Sequence, residues 1–188
     1  MKKLIIILTI LLLVSAFIGY KFVSKTPVFK KEIVHLQETP QVERKTIIVY
    51  FGNSNADAVV PEKRVIDLKE GVSLEQLVFE ELQKGPSNKK LWPVIPEGTK
   101  FLSAKTEKGV CTLNLSREFI DNTHTGSAGE AMIINSIVNT FTEPSVFPGV
   151  QKVQFLIDGQ VRDAFIHMAF DQPIPRNESI ISRETAGQ

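Results

Sequence analysis

The chain has 188 residues, 43% of them hydrophobic and 23% charged, and its 22 Lys and Arg side chains nearly balance 21 Asp and Glu side chains. This length indicates one domain or two small ones, and the net charge of +1 excludes a strongly basic nucleic-acid-binding protein and an acidic disordered chain. The single cysteine, Cys111, excludes an intramolecular disulfide, a cysteine-rich metal site and a CxxC redox pair.

The first twenty residues (1–20) predict a transmembrane or signal helix. After Lys2 and Lys3, residues 4–20 carry no charge and would span about 26 Å as a helix, the short end of the range for crossing a bilayer. The alternative is a cleaved signal peptide, because residues 14–16 (VSA) resemble a cleavage site. We expect a single-pass anchor in the cell membrane with the following domain on the extracytoplasmic side, or a secreted protein if the segment is cleaved.

Two polar segments flank the predicted domain. Residues 21–45 mix charges, glutamine and two prolines without sustained periodicity, which predicts a flexible stalk. Residues 171–188 predict a loose C-terminal tail. The globular domain is therefore expected at 46–170.

The first half of this domain predicts two strands and a helix. Residues 46–51 are β-branched and aromatic, and residues 64–68 form a shorter run of the same kind. A helix is expected after Ser73, which is a candidate N-cap with Gln76 three residues further on, as in a capping box. Gly85 and Pro86 end it.

The second half predicts a hairpin, a second helix and a strand pair. The hairpin joins 101–105 to 110–115, and its alternation points Cys111 inward. The second helix begins at Ser127, with Glu130 completing another capping box. Its broad apolar face predicts that this helix is largely buried. A strand at 152–157 is then followed by a type I′ turn and a last strand at 161–168. The order ββαββαβ predicts an α+β fold in which two helices pack on one face of a mixed sheet.

No catalytic, cofactor-binding or metal site is identified from residue types and spacing. His35, His124 and His167 lie in separate segments and form no pair at metal-ligand spacing. The segment 126–129 (GSAG) could bind an anion at a helix start, although it lacks the lysine of a P-loop, and a capped helix start is the simpler interpretation. Trp92, in the proline-rich loop 87–99, is the candidate contact for a sugar, with an anchor of the loop in the core as the other interpretation.

Several consecutive blocks resemble the GerMN domain family, from Ile47 to Gly159. The blocks are VYFGNSNADAVVPEKRVI, LQKGP, IPEGTKFLSAKTEKGVCTLNLSREF, GSAGEAMIINSIVNTFTE and FPGVQKVQFLIDG. The resemblance implies an α-β-β-α-β unit, here Leu74–Ile157, similar to ring-building modules that pack edge to edge. Several relatives are lipoproteins and some carry tandem domains, whereas this chain lacks the lipid-bearing cysteine and contains one copy.

The resemblance also implies a function. It is that of a non-enzymatic, extracytoplasmic protein without a cofactor that contributes to sporulation and germination, as a scaffold or assembly domain of an envelope complex. The expected partners are other envelope or sporulation-complex proteins, a second copy of the chain, and the membrane through residues 4–20, with no nucleic acid. The alternative is a cell-wall (peptidoglycan) or small-ligand binding module.

Overall fold

The computed structural model describes residues 43–182, together with 13–15, 17 and 21. The chain divides into two compact units, Met1–Gln41 and Val42–Gln188. In the first unit the five described positions are helical and exposed. Most of the anchor expected at 4–20 and of the stalk expected at 21–45 lies outside the described residues. Across the part of the chain that is described, no helix combines the length and the apolar character needed to cross a bilayer.

Two long antiparallel strands build the first sheet. Strand β1 (Arg44–Asn53) pairs from Arg44 to Gly52 with the whole of β2 (Val59–Asp67), and the short strand β3 (Leu91–Trp92) pairs with the other edge of β1. Strand β2 begins five residues earlier than the sequence pattern predicted, and it includes Pro61. A proline is tolerated there because β2 is an edge strand, in which half of the N–H groups have no partner to lose.

The second sheet contains the predicted hairpin. Strands β4 (Phe101–Glu107) and β5 (Val110–Leu115) are antiparallel, β6 (Lys152–Ile157) is parallel to β5, and β7 (Ile174–Pro175) closes the order β4-β5-β6-β7. The single mixed sheet expected from the sequence is therefore wrong, although the α+β class is confirmed. Strand β3 pairs only with β1 and is followed by Pro93, which has no N–H to continue a ladder, and none of the described strands pairs with a strand of the other sheet.

The expected last strand at 161–168 is also wrong. Asp158 and Gly159 form the predicted turn, both at positive φ, but the strand pairing stops at the bridge between Ile157 and Gln160. The following loop turns Phe165 and Phe170 into the core, where their rings lie 5.5 Å apart. Burial of two aromatic side chains thus outweighs continuation of the hairpin.

Three helices cover the sheets: α1 (Leu74–Gln83), α2 (Glu118–Asp121) and α3 (Ser127–Phe141). Ser73 is the N-cap of α1, as predicted, and its Oγ accepts the Gln76 N–H at 3.2 Å. The Gln76 side chain instead donates to Glu80, so the box is only half formed. Helix α3 packs against β1 and against β6, and this contact joins the two sheets around one core.

The C-terminal segment docks on the domain through a buried ion pair. The Arg176 guanidinium donates to the Glu143 carboxylate and to the Tyr50 hydroxyl, both at 3.0 Å, and Tyr50 itself donates to Glu143 at 2.6 Å. Asn139 of α3 exchanges two hydrogen bonds of 2.9 Å with the backbone of Asn177. Arg176 and Asn177, which belong to the segment expected to form a loose tail, are therefore bound to α3, to β1 and to Glu143 after α3.

These contacts control the ionisation of Tyr50 and Glu143. Burial, reinforced by the carboxylate, raises the pKa of Tyr50 to about 12. Burial also acts to raise the pKa of Glu143, but hydrogen bonds from Tyr50 and Ser145 and the charge of Arg176 outweigh it, so this pKa is lowered. Glu143 is thus ionised in the folded protein and depends on Arg176 for its counter-charge.

We expect Arg176→Met to lower the free energy of unfolding by about 3 kcal/mol, because it leaves a carboxylate in the core without its cation. Urea unfolding at neutral pH measures the loss. Because the pKa of Glu143 is lowered on folding, the pair stabilises the protein above the ordinary carboxyl range, and this contribution is lost as the pH falls through the lowered pKa. The difference in the free energy of unfolding between Arg176→Met and the parent should therefore become smaller at acidic pH.

Arg162→Met is the matched control, since Arg162 is exposed and a change there should stay within about 0.5 kcal/mol. Equal losses for the two variants would contradict the docking of the C-terminal segment by Arg176.

Candidate ligand-binding groove

The residues examined for chemistry in the sequence lie in different surroundings. No group of three His, Cys, Asp or Glu side chains that could hold a metal ion occurs among the residues that the structure describes. His35 lies outside those residues, and His124 and His167 are both exposed. Cys111 is buried, as predicted, and burial raises the pKa of its thiol to about 11, which keeps it protonated and unreactive at neutral pH.

Two features that the sequence suggested separately come together in one groove of about 660 Å³. Trp92 forms one part of the wall and the first turn of α3, residues 126–129, forms another. The remaining lining residues are Ser54, Ala56, Lys89, Lys90, Leu91 and Thr125. The sequence could not predict this contact, because 34 positions separate Trp92 from Gly126 and no local pattern connects them.

Trp92 is fixed in place by contacts along its ring. Its Nε1 donates to the carbonyl oxygen of Asn53 at 2.6 Å, and the ring packs against the buried cluster that contains Met132. A Cβ atom on Gly52 would lie 2.6 Å from Nε1, and one on Gly129 would lie 2.8 Å from Cη2. Both glycines are therefore required by the close approach of the indole. Trp92 is at once an anchor of the β3 segment and part of the groove wall.

Positive charge dominates the groove. Lys89 and Lys90 are exposed, and none of the lining residues is acidic. The N-cap of α3 is Gly126, and no side chain caps this helix start. Since the amino end of a helix carries a partial positive charge, the first turn adds to the field of the two lysines.

Glu130 is absent from the groove because it acts elsewhere. The predicted capping box of Ser127 and Glu130 is wrong: Ser127 is the first helical residue, and Glu130 is 1% exposed. Its Oε1 accepts three backbone N–H bonds of 2.8–2.9 Å from residues 166–168, and its Oε2 lies 3.3 Å from Nδ1 of His167. A carboxylate that would have neutralised the helix start instead holds the loop after β6. In the sequence, only the broad apolar face of the helix around Glu130 indicated that this carboxylate could be buried.

The described fold can be compared with known proteins. A family model described as "Germane: Sporulation and spore germination" matches residues 48–163, which is more than half of the chain. The chain belongs to this family. The GerMN resemblance of the sequence blocks is thereby confirmed. No curated protein sequence matches the chain significantly.

Solved structures agree with the GerMN assignment. The tandem GerMN domains of the sporulation protein GerM from Bacillus subtilis are 26% identical, with a TM-score of 0.57, and the match covers 77% of this chain and 51% of that one. This chain thus spans about half of the tandem structure. A candidate lipoprotein from Clostridium perfringens is also 26% identical, with a TM-score of 0.50 over 70% of this chain and 87% of the other. The first GerMN domain of GerM alone, 21% identical with a TM-score of 0.50 over 74% of this chain and 98% of that one, shows the same fold.

The contact between Gly129 and Trp92 can be tested by adding one methyl group. Alanine in a helix is normally more stable than glycine by up to about 1 kcal/mol. We nevertheless expect Gly129→Ala to destabilise the domain by about 1–3 kcal/mol, because the new Cβ would overlap the indole ring and Thr125. Thermal unfolding measures the loss, and the emission of the one tryptophan of the chain reports the displaced ring.

Gly126→Ala is the control, because no atom lies within 4 Å of a Cβ at that position. It should change stability by less than about 1 kcal/mol and leave the emission unchanged. A Gly129→Ala variant as stable as its parent would show that the indole does not need the glycine.

Proposed function

We propose that this GerMN domain is a non-enzymatic, extracytoplasmic scaffold that assembles an envelope complex during sporulation or germination. The proposal is carried by an unpaired strand edge. The seven-residue strand β4 ends the second sheet, and no described strand pairs with its outer edge. Such an edge offers a row of backbone donors and acceptors to a partner.

The side chains of β4 fit a selective contact. Leu102 is 45% exposed, while Lys105 and Glu107 form an exposed ion pair of 2.7 Å further along the strand. Charges on an edge oppose indiscriminate pairing, so a partner must match both the apolar and the charged positions. The unit Leu74–Ile157 that carries this edge retains the α-β-β-α-β order of its main elements, with β3 and α2 as short additions.

The surroundings of the buried thiol, carboxylate and phenol groups support a role without catalysis. The buried Cys111 thiol has a raised pKa, and Glu143 and Tyr50 are both engaged by Arg176. In the described residues these nucleophilic and acid–base groups are thus occupied by structural contacts.

The proposed membrane anchor would favour assembly of the envelope complex. A helix at 4–20 would restrict the domain to the membrane plane, which raises its effective concentration for partners in the same membrane. The similarity to a candidate lipoprotein from Clostridium perfringens supports an envelope location.

Deletion of the gene in the source organism tests the biological role. We expect fewer heat-resistant spores or slower germination, with normal vegetative growth, because an assembly domain of a sporulation complex is needed only then. The counts before and after heating, with re-expression of the parent chain as the control, measure the effect. Normal spores together with altered growth or cell shape would reject the sporulation role.

Leu102→Lys tests the edge. A lysine at the exposed position should leave the melting temperature unchanged and weaken self-association or partner capture by about tenfold, since charges on strand edges oppose pairing. Sedimentation velocity of the full chain in detergent, and its crosslinking in sporulating cells, measure the contact. Val65→Lys is the matched control, because Val65 is 66% exposed on β2 of the other sheet. If both variants associate like the parent, β4 is not the assembly edge.

A second candidate function is supported by the groove. An aromatic ring beside two lysines favours a cell-wall or small-ligand binding module. Co-sedimentation of the full chain with purified peptidoglycan tests it, and a chain that stays in the supernatant at low salt would reject wall binding.

A further inference from the structure

The groove has the dimensions and rigidity of a small-ligand site. Its volume of about 660 Å³ lies within the range of such sites. The hydrogen bond from Trp92 to Asn53 and the close approach of Gly52 and Gly129 fix the indole before any ligand arrives. A preformed aromatic surface costs little ordering on binding, and it suits the apolar face of a sugar ring.

The charges around the groove indicate which kind of ligand it binds. Lys89 and Lys90 have no ion-pair partner among the described residues, and the first turn of α3 has no acid beside it because Glu130 is bound by residues 166–168. An anion is therefore favoured. The ammonium groups of lysine bind a carboxylate or a phosphate as point charges, and the amino end of a helix accepts either anion, so the groove suits an acidic group of either kind.

We propose that the groove binds an acidic saccharide, a sugar ring that carries a carboxylate or a phosphate. The ring lies against Trp92, and its anionic group lies between the two lysines and the amino end of α3. This inference rests on the second candidate function and names its ligand. It is independent of the scaffold role, because β4 contributes no residue to the groove.

Ala128 allows a test that leaves the fold intact. It is exposed in the first turn of α3 and lines the groove. A negative charge is favourable at a helix start, so Ala128→Glu should fold as well as the parent or better. We expect Ala128→Glu to weaken binding to the glycan strands of the wall by about tenfold, because its carboxylate takes the place of the ligand's anionic group. The strands are freed of phosphate-containing polymers and of stem peptides, so that the carboxylates of their muramic acid residues are not blocked by amide bonds. Ala128→Gln has nearly the same size without the charge and should stay within about threefold.

The lysines provide the second variant. Lys89→Gln/Lys90→Gln should weaken binding about tenfold at low salt, and binding should then depend little on ionic strength. Lys63→Gln/Lys100→Gln removes two exposed charges outside the groove and is the matched control. If both lysine pairs reduce binding equally, only the net charge matters and the inference is overturned.

A soluble probe separates this inference from wall binding itself. Because Trp92 is the one tryptophan of the chain, its emission reports the groove directly. N-acetylmuramic acid and N-acetylglucosamine 6-phosphate should shift or quench this emission in the full chain in detergent, and the stronger of the two identifies the acidic group. N-acetylglucosamine should do so much less, and Ala128→Glu should abolish the response. If the chain fails to sediment with the wall but responds to the acid, wall binding is rejected and the groove assignment stands.

Two results would overturn the assignment. One is wall binding that none of the groove variants changes, which leaves the wall-binding function in place through another surface. The other is an emission that responds equally to the acidic and the neutral sugar, or to neither.

Discussion

The burial of helix α3 on nearly every side is the constraint on which the rest of the domain depends. Twelve of its fifteen residues are buried, and it contacts a strand of each sheet. A helix enclosed in this way cannot leave its polar side chains to solvent. Thr140 Oγ1 accordingly accepts the backbone N–H of Tyr50, and Asn139 bonds the backbone of Asn177. These two residues of the polar stripe therefore hold strand β1 on one side and the C-terminal segment on another, as buried polar groups usually do. The hydroxyl of Ser136, on the same helix, is buried without a hydrogen-bond partner.

The same burial explains how a groove forms at the start of the helix. With Glu130 drawn into the loop after β6, the first turn presents small residues and backbone to solvent instead of an acid. Gly129 then lets the indole of Trp92 approach the helix, and Gly52 lets it approach the strand. The first turn of α3 thus supplies both the buried Glu130 carboxylate, which holds the loop after β6, and the positively charged surface of the groove. The two roles are compatible because they use different faces of the helix.

Local signals in the sequence predicted the features that are decided locally. The hairpin of β4 and β5, the Ser73 cap, the Asp158 turn and the inward Cys111 each depend on residues within a few positions of one another. The order of the predicted elements indicated the α+β class, and the family resemblance indicated the association with sporulation. The two-residue strand β3 was not predicted, because so short a strand followed by proline has no recognisable pattern.

The remaining misses involve partners far apart in the chain. Glu130 has a sequence context typical of a capping box, and its actual donors lie 36–38 positions further on. Arg176 sits in a polar, proline-containing stretch that has the composition of a loose end. Its distant partners are separated in sequence but adjacent around the end of α3: Tyr50, Asn139, Thr142 and Glu143. Composition reports the average environment of a segment and cannot show that one of its side chains neutralises a distant charge.

The position of Arg176 has a consequence for how the protein is made. A chain that is synthesised from its N-terminus presents Tyr50 and Glu143 before the arginine that completes their ion pair, since 33 positions separate Glu143 from Arg176. Until Arg176 emerges, the acid beside the end of α3 has no counter-charge. The polar core of the domain is therefore completed late, and a chain that stops before Arg176 would carry an unfinished core.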